Sequence, residues 1–144
     1  MPSYYDEKAK CRVGEMDEKQ FYAESDKDNG TFFKSLVAAW TKAGGSLKWG
    51  AGGAGLRAKA DGKEVGVCFL APKFAGKQDR IELSCTALKK QLGDNAVDAL
   101  HNSLRTAAGE SFKGTTMVSL VNPGKLPDKA QKAIVKSLLA VASN

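Results

Sequence analysis

The sequence predicts an α+β domain: a mainly antiparallel four- to five-stranded sheet with about three packed helices, in the order αβββαβα. Two patterns lead to this prediction. Segments with apolar residues at helical spacing alternate with segments in which every second residue is apolar, and an Asp-Gly turn joins two of the latter. With 144 residues, of which 42% are hydrophobic and 26% charged, the chain is long enough for one domain with its own core.

The net charge of +6 is unevenly distributed along the chain. Residues 1–30 carry five basic and eight acidic side chains, a net charge of −3, whereas residues 31–144 carry seventeen and eight, a net charge of +9. We therefore expect an acidic, partly ordered N-terminal arm over 1–30, with a short helix from Asp17 to Glu24, and a single basic domain over 31–144. Such a basic excess is typical of proteins that bind polyanions, and also of a solvated lysine-rich surface.

The sequence favours a cytoplasmic protein that does not enter a membrane. No run approaches the roughly 20 apolar residues that span a bilayer, and the first residues lack the apolar core of a signal peptide. The three cysteines, Cys11, Cys68 and Cys85, have no common spacing. Cys68 and Cys85 lie in apolar segments typical of strands, so we expect them to be small buried hydrophobes in a reducing compartment, although one disulfide stays possible.

Three segments repeat apolar residues at helical spacing. We expect helices over Thr31–Ala43, Asp94–Ala108 and about Asp128–Ala142, and a short helical turn over Ala87–Leu92. Their buried seams are Phe33, Leu36, Val37 and Trp40; Val97, Leu100 and Leu104; and Ile134, Leu138 and Val141. Glycines follow the first two helices and the turn, as is common where a helix ends.

The stretch Ser46–Pro72 predicts a β-hairpin centred on Asp61-Gly62, which favours a two-residue type I′ turn, with the glycines of residues 50–55 at its entry. That turn fixes which residues lie opposite each other. One face is expected to pair Ala58 with Val65, Leu56 with Val67, and Ala54 with Phe69. The other face is expected to pair Lys59 with Glu64, Arg57 with Gly66, and Gly55 with Cys68.

Two further strands follow a loop over Pro72–Asp79. Arg80–Thr86 alternates with Ile81, Leu83 and Cys85 inward, and Met117–Val121 is a short apolar strand that ends at an Asn-Pro-Gly turn.

Gly50, Gly52 and Gly55 form a GxGxxG pattern, which suggests a nucleotide site. A dinucleotide site requires a helix that begins at the last glycine, because the pyrophosphate lies at that helix's N-terminus. Here the residues after Gly55 alternate as a strand. The pattern therefore predicts no cofactor, and the glycines indicate a turn against which another segment packs closely.

The order helix, three strands, helix, strand, helix over residues 31–142 resembles the core of restriction-endonuclease-like folds. In that family, metal-dependent cleavage uses an acidic residue and then Glu/Asp-x-Lys on adjacent strands. Glu82 would fill the first position of the latter motif, but Ser84 stands in place of the lysine. The resemblance implies a catalytically silent relative rather than an active nuclease.

His101 is the only histidine, which excludes a site built from several histidines. It lies at the edge of a helical seam, so a histidine at the rim of the core is the simplest interpretation. We assign no catalytic residue and no metal ligand. An enzyme whose site is assembled from Glu82, His101 and loop residues remains the competing hypothesis.

A binding face is predicted on the polar side of the hairpin. Gly53, Gly55 and Gly66 leave a shallow depression there, which the loop after the hairpin would overhang. The candidate binding residues are Trp49, Arg57, Lys59, Lys73, Phe74, Lys77 and Arg80. Basic groups interspersed with aromatic rings are typical of surfaces that bind phosphates or single-stranded nucleic acid. The alternative is that helices pack on these glycines and the loop is merely solvated.

These observations favour a non-enzymatic, cytoplasmic binding domain for an anionic partner, either nucleic acid or a phosphorylated ligand. The alternatives are a small enzyme, a catalytically silent nuclease-like domain, or an adaptor that binds another protein through an apolar patch. The sequence indicates no oligomeric state.

Overall fold

The computed structural model describes residues 2–74 and 76–142, which form five α-helices and two antiparallel sheets. The helices are α1 (Glu18–Glu24), α2 (Lys27–Lys42), α3 (Cys85–Leu92), α4 (Asp94–Ala108) and α5 (Asp128–Ala142). The strands are β1 (Tyr4–Asp6), β2 (Cys11–Val13), β3 (Ser46–Trp49), β4 (Ala54–Ala60), β5 (Lys63–Ala71), β6 (Arg80–Ser84), β7 (Phe112–Lys113) and β8 (Met117–Val121). The first two strands pair with each other, and the other six form one sheet in the order β3-β4-β5-β6-β8-β7.

The α+β class is confirmed, but the predicted size and order are wrong. The main sheet has six strands rather than four or five, and the described residues form five α-helices rather than about three. The added strands β3 and β7 have four and two residues, too few for alternation to identify them. The predicted order αβββαβα is therefore also wrong. The resemblance to restriction-endonuclease-like folds rested on that order, so the structure does not support it.

The third helix replaces what was expected to be the end of a strand and a short turn. β6 ends at Ser84, whose hydroxyl oxygen accepts a hydrogen bond from the backbone N–H of Ala87 at 3.3 Å and so caps α3. Cys85 and Leu88 are the buried residues of this helix. The predicted helices Asp94–Ala108 and Asp128–Ala142 and the strand Met117–Val121 are confirmed.

The N-terminal residues contribute to the same hydrophobic core as the sheet. α1 begins after Asp17, whose carboxylate caps the helix by accepting a hydrogen bond from the N–H of Gln20 at 2.8 Å. The short helix expected from Asp17 to Glu24 is thus confirmed. Met16 and Phe21 are completely buried in the core cluster. α2 begins at Lys27, four residues before the predicted start, and therefore crosses residue 30. The division of the chain at that residue stays a prediction.

The sheet has one face in the core and one face directed away from it. Along β4, Ala54, Leu56 and Ala58 are buried, whereas Gly55 and Arg57 between them are only half-buried. The buried face packs against the helices in one core cluster with Leu36, Trp40, Val97, Leu104, Ile134 and Leu138. At the edge of this core the indole N–H of Trp40 donates to the carbonyl oxygens of Arg57, at 2.9 Å, and Ser46, at 3.2 Å.

The hairpin register is confirmed near the turn and wrong beyond it. Ala58 pairs with Val65, Lys59 with Glu64 and Arg57 with Gly66, as predicted. Asp61 and Gly62 both have positive φ, as a type I′ turn requires. A β-bulge then shifts the register, so that the remaining pairs are Leu56 with Cys68, Gly55 with Phe69, and Ala54 with Leu70. The extra residue in β5 leaves Val67 and Cys68 both buried and moves Phe69 to the opposite face.

The segment of residues 50–55, which we call the glycine segment, lies directly against β5, as the predicted close packing required. Gly53 has a φ of +145°, and a Cβ atom there would collide with the carbonyl oxygen of Leu70. A Cβ atom on Gly52 would lie 3.5 Å from the ring of Phe69. Gly50, by contrast, has open space around it. Gly53 is therefore the residue of the GxGxxG region that the fold itself requires.

A buried carboxylate joins three segments that are distant in sequence, an arrangement that we call the Asp79 junction (Asp26, Asn29, Lys73, Asp79 and Asn122). Asp79 is completely buried, and its carboxylate accepts hydrogen bonds from the N–H groups of Asp26 at 2.8 Å and Lys73 at 2.7 Å. The side-chain amide of Asn29, also fully buried, donates to the same carboxylate at 2.9 Å and to the side chain of Asn122 at 3.0 Å. The start of α2, the loop before β6 and the turn before α5 are thus held together.

Replacing Gly53 by alanine is expected to lower the free energy of unfolding by about 2–4 kcal/mol, because the new Cβ combines an unfavourable φ with a collision with main chain. Gly50→Ala is the matched control and is expected to change it by less than about 0.5 kcal/mol. Urea unfolding followed by circular dichroism measures both. Equal stability of the two variants would contradict the close approach of this segment to β5.

Asp79→Asn is expected to lower the free energy of unfolding by about 2–4 kcal/mol, because an amide nitrogen would replace an oxygen that accepts buried N–H groups. The control is Asp61→Asn in the exposed hairpin turn, where asparagine also tolerates positive φ. The same urea titration compares them. A loss below about 1 kcal/mol for Asp79→Asn would show that the junction does not hold these segments together.

Candidate functional site

Side chains of the main sheet that point away from the core form what we call the open face. Six residues, paired in register, make a row across it: Lys48, Gly55, Phe69, Glu82, Ser119 and Lys113. Both ends of this row are exposed lysines, and the four residues between them are half-buried. The open face therefore carries an aromatic ring and a carboxylate near its centre and positive charge at both edges.

A depression on the open face, the sheet trough, has a volume of about 380 Å³. It is lined by Gly55, Arg57, Gly66, Val67, Cys68, Phe69, Glu82, Ser84 and Met117. Gly55 and Gly66 contribute no side chain, which leaves the backbone of β4 and β5 as part of the lining. The predicted depression on the polar side of the hairpin thus lies here, although Gly53 is not part of its lining.

Phe69 is the aromatic residue of the sheet trough. Its ring lies 3.5 Å from the position of a Cβ atom on Gly52 and about 4.0 Å from that on Gly55, so the glycine segment supports it. The ring is half-buried. The expected register assigned Phe69 to the core face, and the β-bulge is the reason why it lies on the open face instead. Sequence reasoning therefore missed it.

Arg57 and Lys59 lie on the open face, where the sequence placed them. Arg57 forms an ion pair with Glu64, with 2.6 Å between Nε and Oε1. A Cβ atom on Gly66 would lie 3.6 Å from Nη1 of Arg57, so the glycine opposite leaves space for the guanidinium. Lys59 pairs in register with Glu64 and is exposed. These two basic groups are accessible from solvent.

Phe74 and Arg80 are held in packing contacts with the N-terminal hairpin. The guanidinium groups of Arg12 and Arg80 lie 5.3 and 5.7 Å from the centre of the Phe74 ring, and the Tyr5 ring lies 6.1 Å from it. Arg80 is only 7% exposed and forms an ion pair with Glu82 at 3.1 Å. These side chains therefore hold β1 and β2 to the sheet, and Arg80 balances the charge of Glu82.

The other three predicted residues lie apart from the sheet trough. Trp49 is half-buried and packs edge-on against Phe21, with 5.6 Å between the ring centres. Lys73 forms an ion pair with Asp26 next to the Asp79 junction. Lys77 is exposed and shares two backbone hydrogen bonds with Phe74. Of the seven predicted binding residues, the structure thus brings Arg57 alone into the trough, with Lys59 beside it on the same face.

Glu82 and His101 lie on opposite sides of the sheet. Glu82 lines the trough on the open face, whereas Leu83, the next residue in β6, lines a small cavity of about 10 Å³ together with His101. The His101 ring packs edge-on against Phe112, with 4.8 Å between the centres. The structure therefore does not bring together the two residues of the enzyme hypothesis. Among residues 2–74 and 76–142, no three His, Cys, Asp or Glu side chains are placed to hold a metal ion.

The three cysteines are free thiols. Cys68 and Cys85 are buried, which confirms their interpretation as small hydrophobes, and Cys11 is exposed. Burial raises the pKa of the Cys68 thiol to about 12. Although Cys68 contributes to the lining of the trough, its thiol therefore stays protonated near neutral pH and is a poor nucleophile.

Comparisons of this chain with protein-family models, curated proteins and solved structures found no match. Within the described part of the chain, every helix is too short or too polar to cross a membrane. The geometry of the open face is therefore the basis for a functional proposal.

The contribution of Asp26 to stability is expected to depend on pH. Hydrogen bonds from the ammonium groups of Lys73 and Lys125 lower the pKa of the Asp26 carboxyl group below its ordinary value. A lowered pKa in the folded state means that folding stabilises the ionised carboxylate. This contribution to the unfolding free energy is complete above the unfolded-state pKa of about 4, and it is lost as the pH falls through the folded-state pKa. The difference in unfolding free energy between the natural protein and Asp26→Asn should therefore shrink from about pH 6 to about pH 2.

The matched control for this experiment repeats the Asp26→Asn comparison in a background that carries Lys73→Met and Lys125→Met. Without the two ammonium groups the pH dependence of the difference is expected to disappear. An unchanged pH dependence in that background would show that the lysines are not its cause.

Proposed function

We propose that this chain is a cytoplasmic, non-enzymatic binding domain whose open face holds single-stranded nucleic acid. The observation that carries the proposal is the half-buried ring of Phe69 in the sheet trough, which Arg57 also lines, in a row of paired residues that ends in an exposed lysine on each side. Proteins that bind single strands combine an aromatic ring, on which a base stacks, with basic groups that follow the backbone.

The trough offers apolar contact for a base. Its volume of about 380 Å³ is within the range of roughly 300–1,000 Å³ of small-ligand pockets. Phe69 and Met117, the first residue of β8, both line it, and Met117 is 58% exposed. A base stacked on Phe69 would cover apolar surface that is now in contact with solvent, which favours binding.

Phosphate contacts would come from Arg57 and from lysines at the edges of the sheet. The ion pair of Arg57 with Glu64 is partly exposed, so it contributes about 0–1 kcal/mol and a phosphate can replace it at little cost. Lys48 and Lys113 end the row that crosses the trough. Glu82, the acidic group within the row, is balanced by Arg80.

The spacing of these groups favours a chain of nucleotides over a ligand with a single phosphate. Five neighbouring-strand intervals separate Lys48 from Lys113, a distance of about 24 Å at the usual strand spacing. A single phosphorylated metabolite would contact only one part of this row, whereas a strand of several nucleotides would contact both ends. The free thiols are compatible with the reducing cytoplasm that the proposal assumes.

Fluorescence anisotropy with labelled oligothymidylate and oligouridylate of about twelve nucleotides tests this proposal at several salt concentrations. Phe69→Ala is expected to raise Kd by a factor of about 5 to 150, which corresponds to the loss of one stacked base. Arg57→Ala is expected to raise Kd and to make its salt dependence less steep, since one phosphate contact is lost.

Arg105→Ala is the matched control, because Arg105 is exposed on α4 and hydrogen-bonds only within that helix, to Asn102 at 3.1 Å. It removes the same charge from the other side of the molecule and is expected to bind within about twofold of the natural protein. The proposal is wrong if no oligonucleotide binds at low salt, or if Phe69→Ala and Arg57→Ala bind as tightly as Arg105→Ala.

A further inference from the structure

Helices α2 and α5 enclose a second depression, the α2–α5 groove, with a volume of about 500 Å³. Phe32, which is 2% exposed, forms the deepest part of its lining, and Ala39, Val135 and Leu139 are half-buried along it. Ser35 on α2 is exposed in the same groove. The small side chains of Ser35 and Ala39 do not fill the space beside α5, so apolar surface of both helices stays accessible.

The rim of the α2–α5 groove is positively charged. Lys132 and Lys136 are one turn apart on α5 and both line the groove. Its acidic residue, Asp128, forms an exposed ion pair with Lys132 at 3.5 Å, which leaves Lys136 in excess. Lys42 lies on the same side of α2, one turn after Ala39, and is exposed. A complementary surface would therefore be apolar along its centre and acidic at its edge.

The shape of the groove fits a helix. The α5 residues that line it run from Asp128 to Leu139, a length of about 17 Å, which equals about three helical turns. An amphipathic helix placed in such a groove presents apolar residues at positions i, i+3 or i+4, and i+7. Three turns provide three or four such residues to cover Phe32, Val135 and Leu139.

We propose that the α2–α5 groove binds an acidic amphipathic helix of a partner protein. Charge complementarity with Lys136, and with Lys42 on the same side of α2, supports this occupant over a basic or neutral one. The acidic helix α1 of this chain does not supply it, because Phe21 is completely buried in the core and packs against Phe33 and Trp49. The site is separate from the open face, so it does not rest on the nucleic-acid proposal.

A synthetic helical peptide of about fourteen residues, with leucine at i, i+3, i+4 and i+7 and glutamate elsewhere, is the probe. Amide chemical shifts of the full chain should change along α2 and α5 when it binds. Ser35→Glu and Lys136→Glu place acidic groups at exposed groove positions, so they should preserve the fold and raise Kd at least tenfold. Lys129→Glu, on α5 but outside the groove, is the matched control and should stay within about twofold.

A second peptide with lysine in place of every glutamate should bind at least tenfold more weakly, and Phe69→Ala should leave binding of the acidic peptide unchanged. The proposal is overturned if the acidic peptide does not bind, if both peptides bind equally, or if the shifts fall outside α2 and α5. It is also overturned if the single-stranded oligonucleotide, rather than the peptide, changes the shifts of the groove. The peptide results do not depend on whether the open face binds nucleic acid.

Discussion

The buried carboxylate of Asp79 is the constraint on which the arrangement of helices and sheet depends. A buried carboxylate must be compensated by hydrogen bonds, and here three N–H groups supply them, two from the start of α2 and one from Lys73 in the same loop. The same network reaches the turn before α5, where the side chain of Asn29 accepts from the N–H of Gly124 at 2.8 Å. Because α2 and α5 are both fixed to the loop before β6, they cover one face of the sheet and define the groove between them.

The open face is the side of the main sheet that the helices do not cover, and a β-bulge in β5 determines which side chains lie on it. The β-bulge directs two successive residues, Val67 and Cys68, to the core and so reverses the side on which Phe69 lies. Close approach of Gly53 to the backbone of Leu70 then places the glycine segment beside that ring. The N-terminal hairpin covers the end of this face near Phe74 and Arg80 and leaves the trough accessible. A local departure from regular pairing therefore creates the candidate site.

Local chemistry made part of this structure predictable. The Asp61-Gly62 turn determines the pairing of its nearest neighbours, and helical periodicity gave the bounds of α4 and α5. The bulge and the Asp79 junction escaped prediction because each depends on contacts between distant segments; Asn29 and Asp79 are 50 positions apart. For the candidate site, alternation placed Arg57 and Lys59 on the face of the hairpin where the structure has them. It missed Phe69, and it treated Trp49 and Phe74 as accessible although Phe21 and Arg12 pack against them.

The two surfaces have different chemistry and lie on different layers of the molecule: a basic and aromatic sheet face, and a basic and apolar groove between helices. The most direct test of the central claim maps bound oligothymidylate by amide chemical shifts of the full chain. The expected result is a set of changes concentrated in β4, β5 and β6 around Arg57, Phe69 and Glu82, with α4 and α5 unaffected. Saturable binding whose shift changes lie on the helices, or that leaves the strands of the trough unchanged, would contradict the proposal that the open face is the binding site.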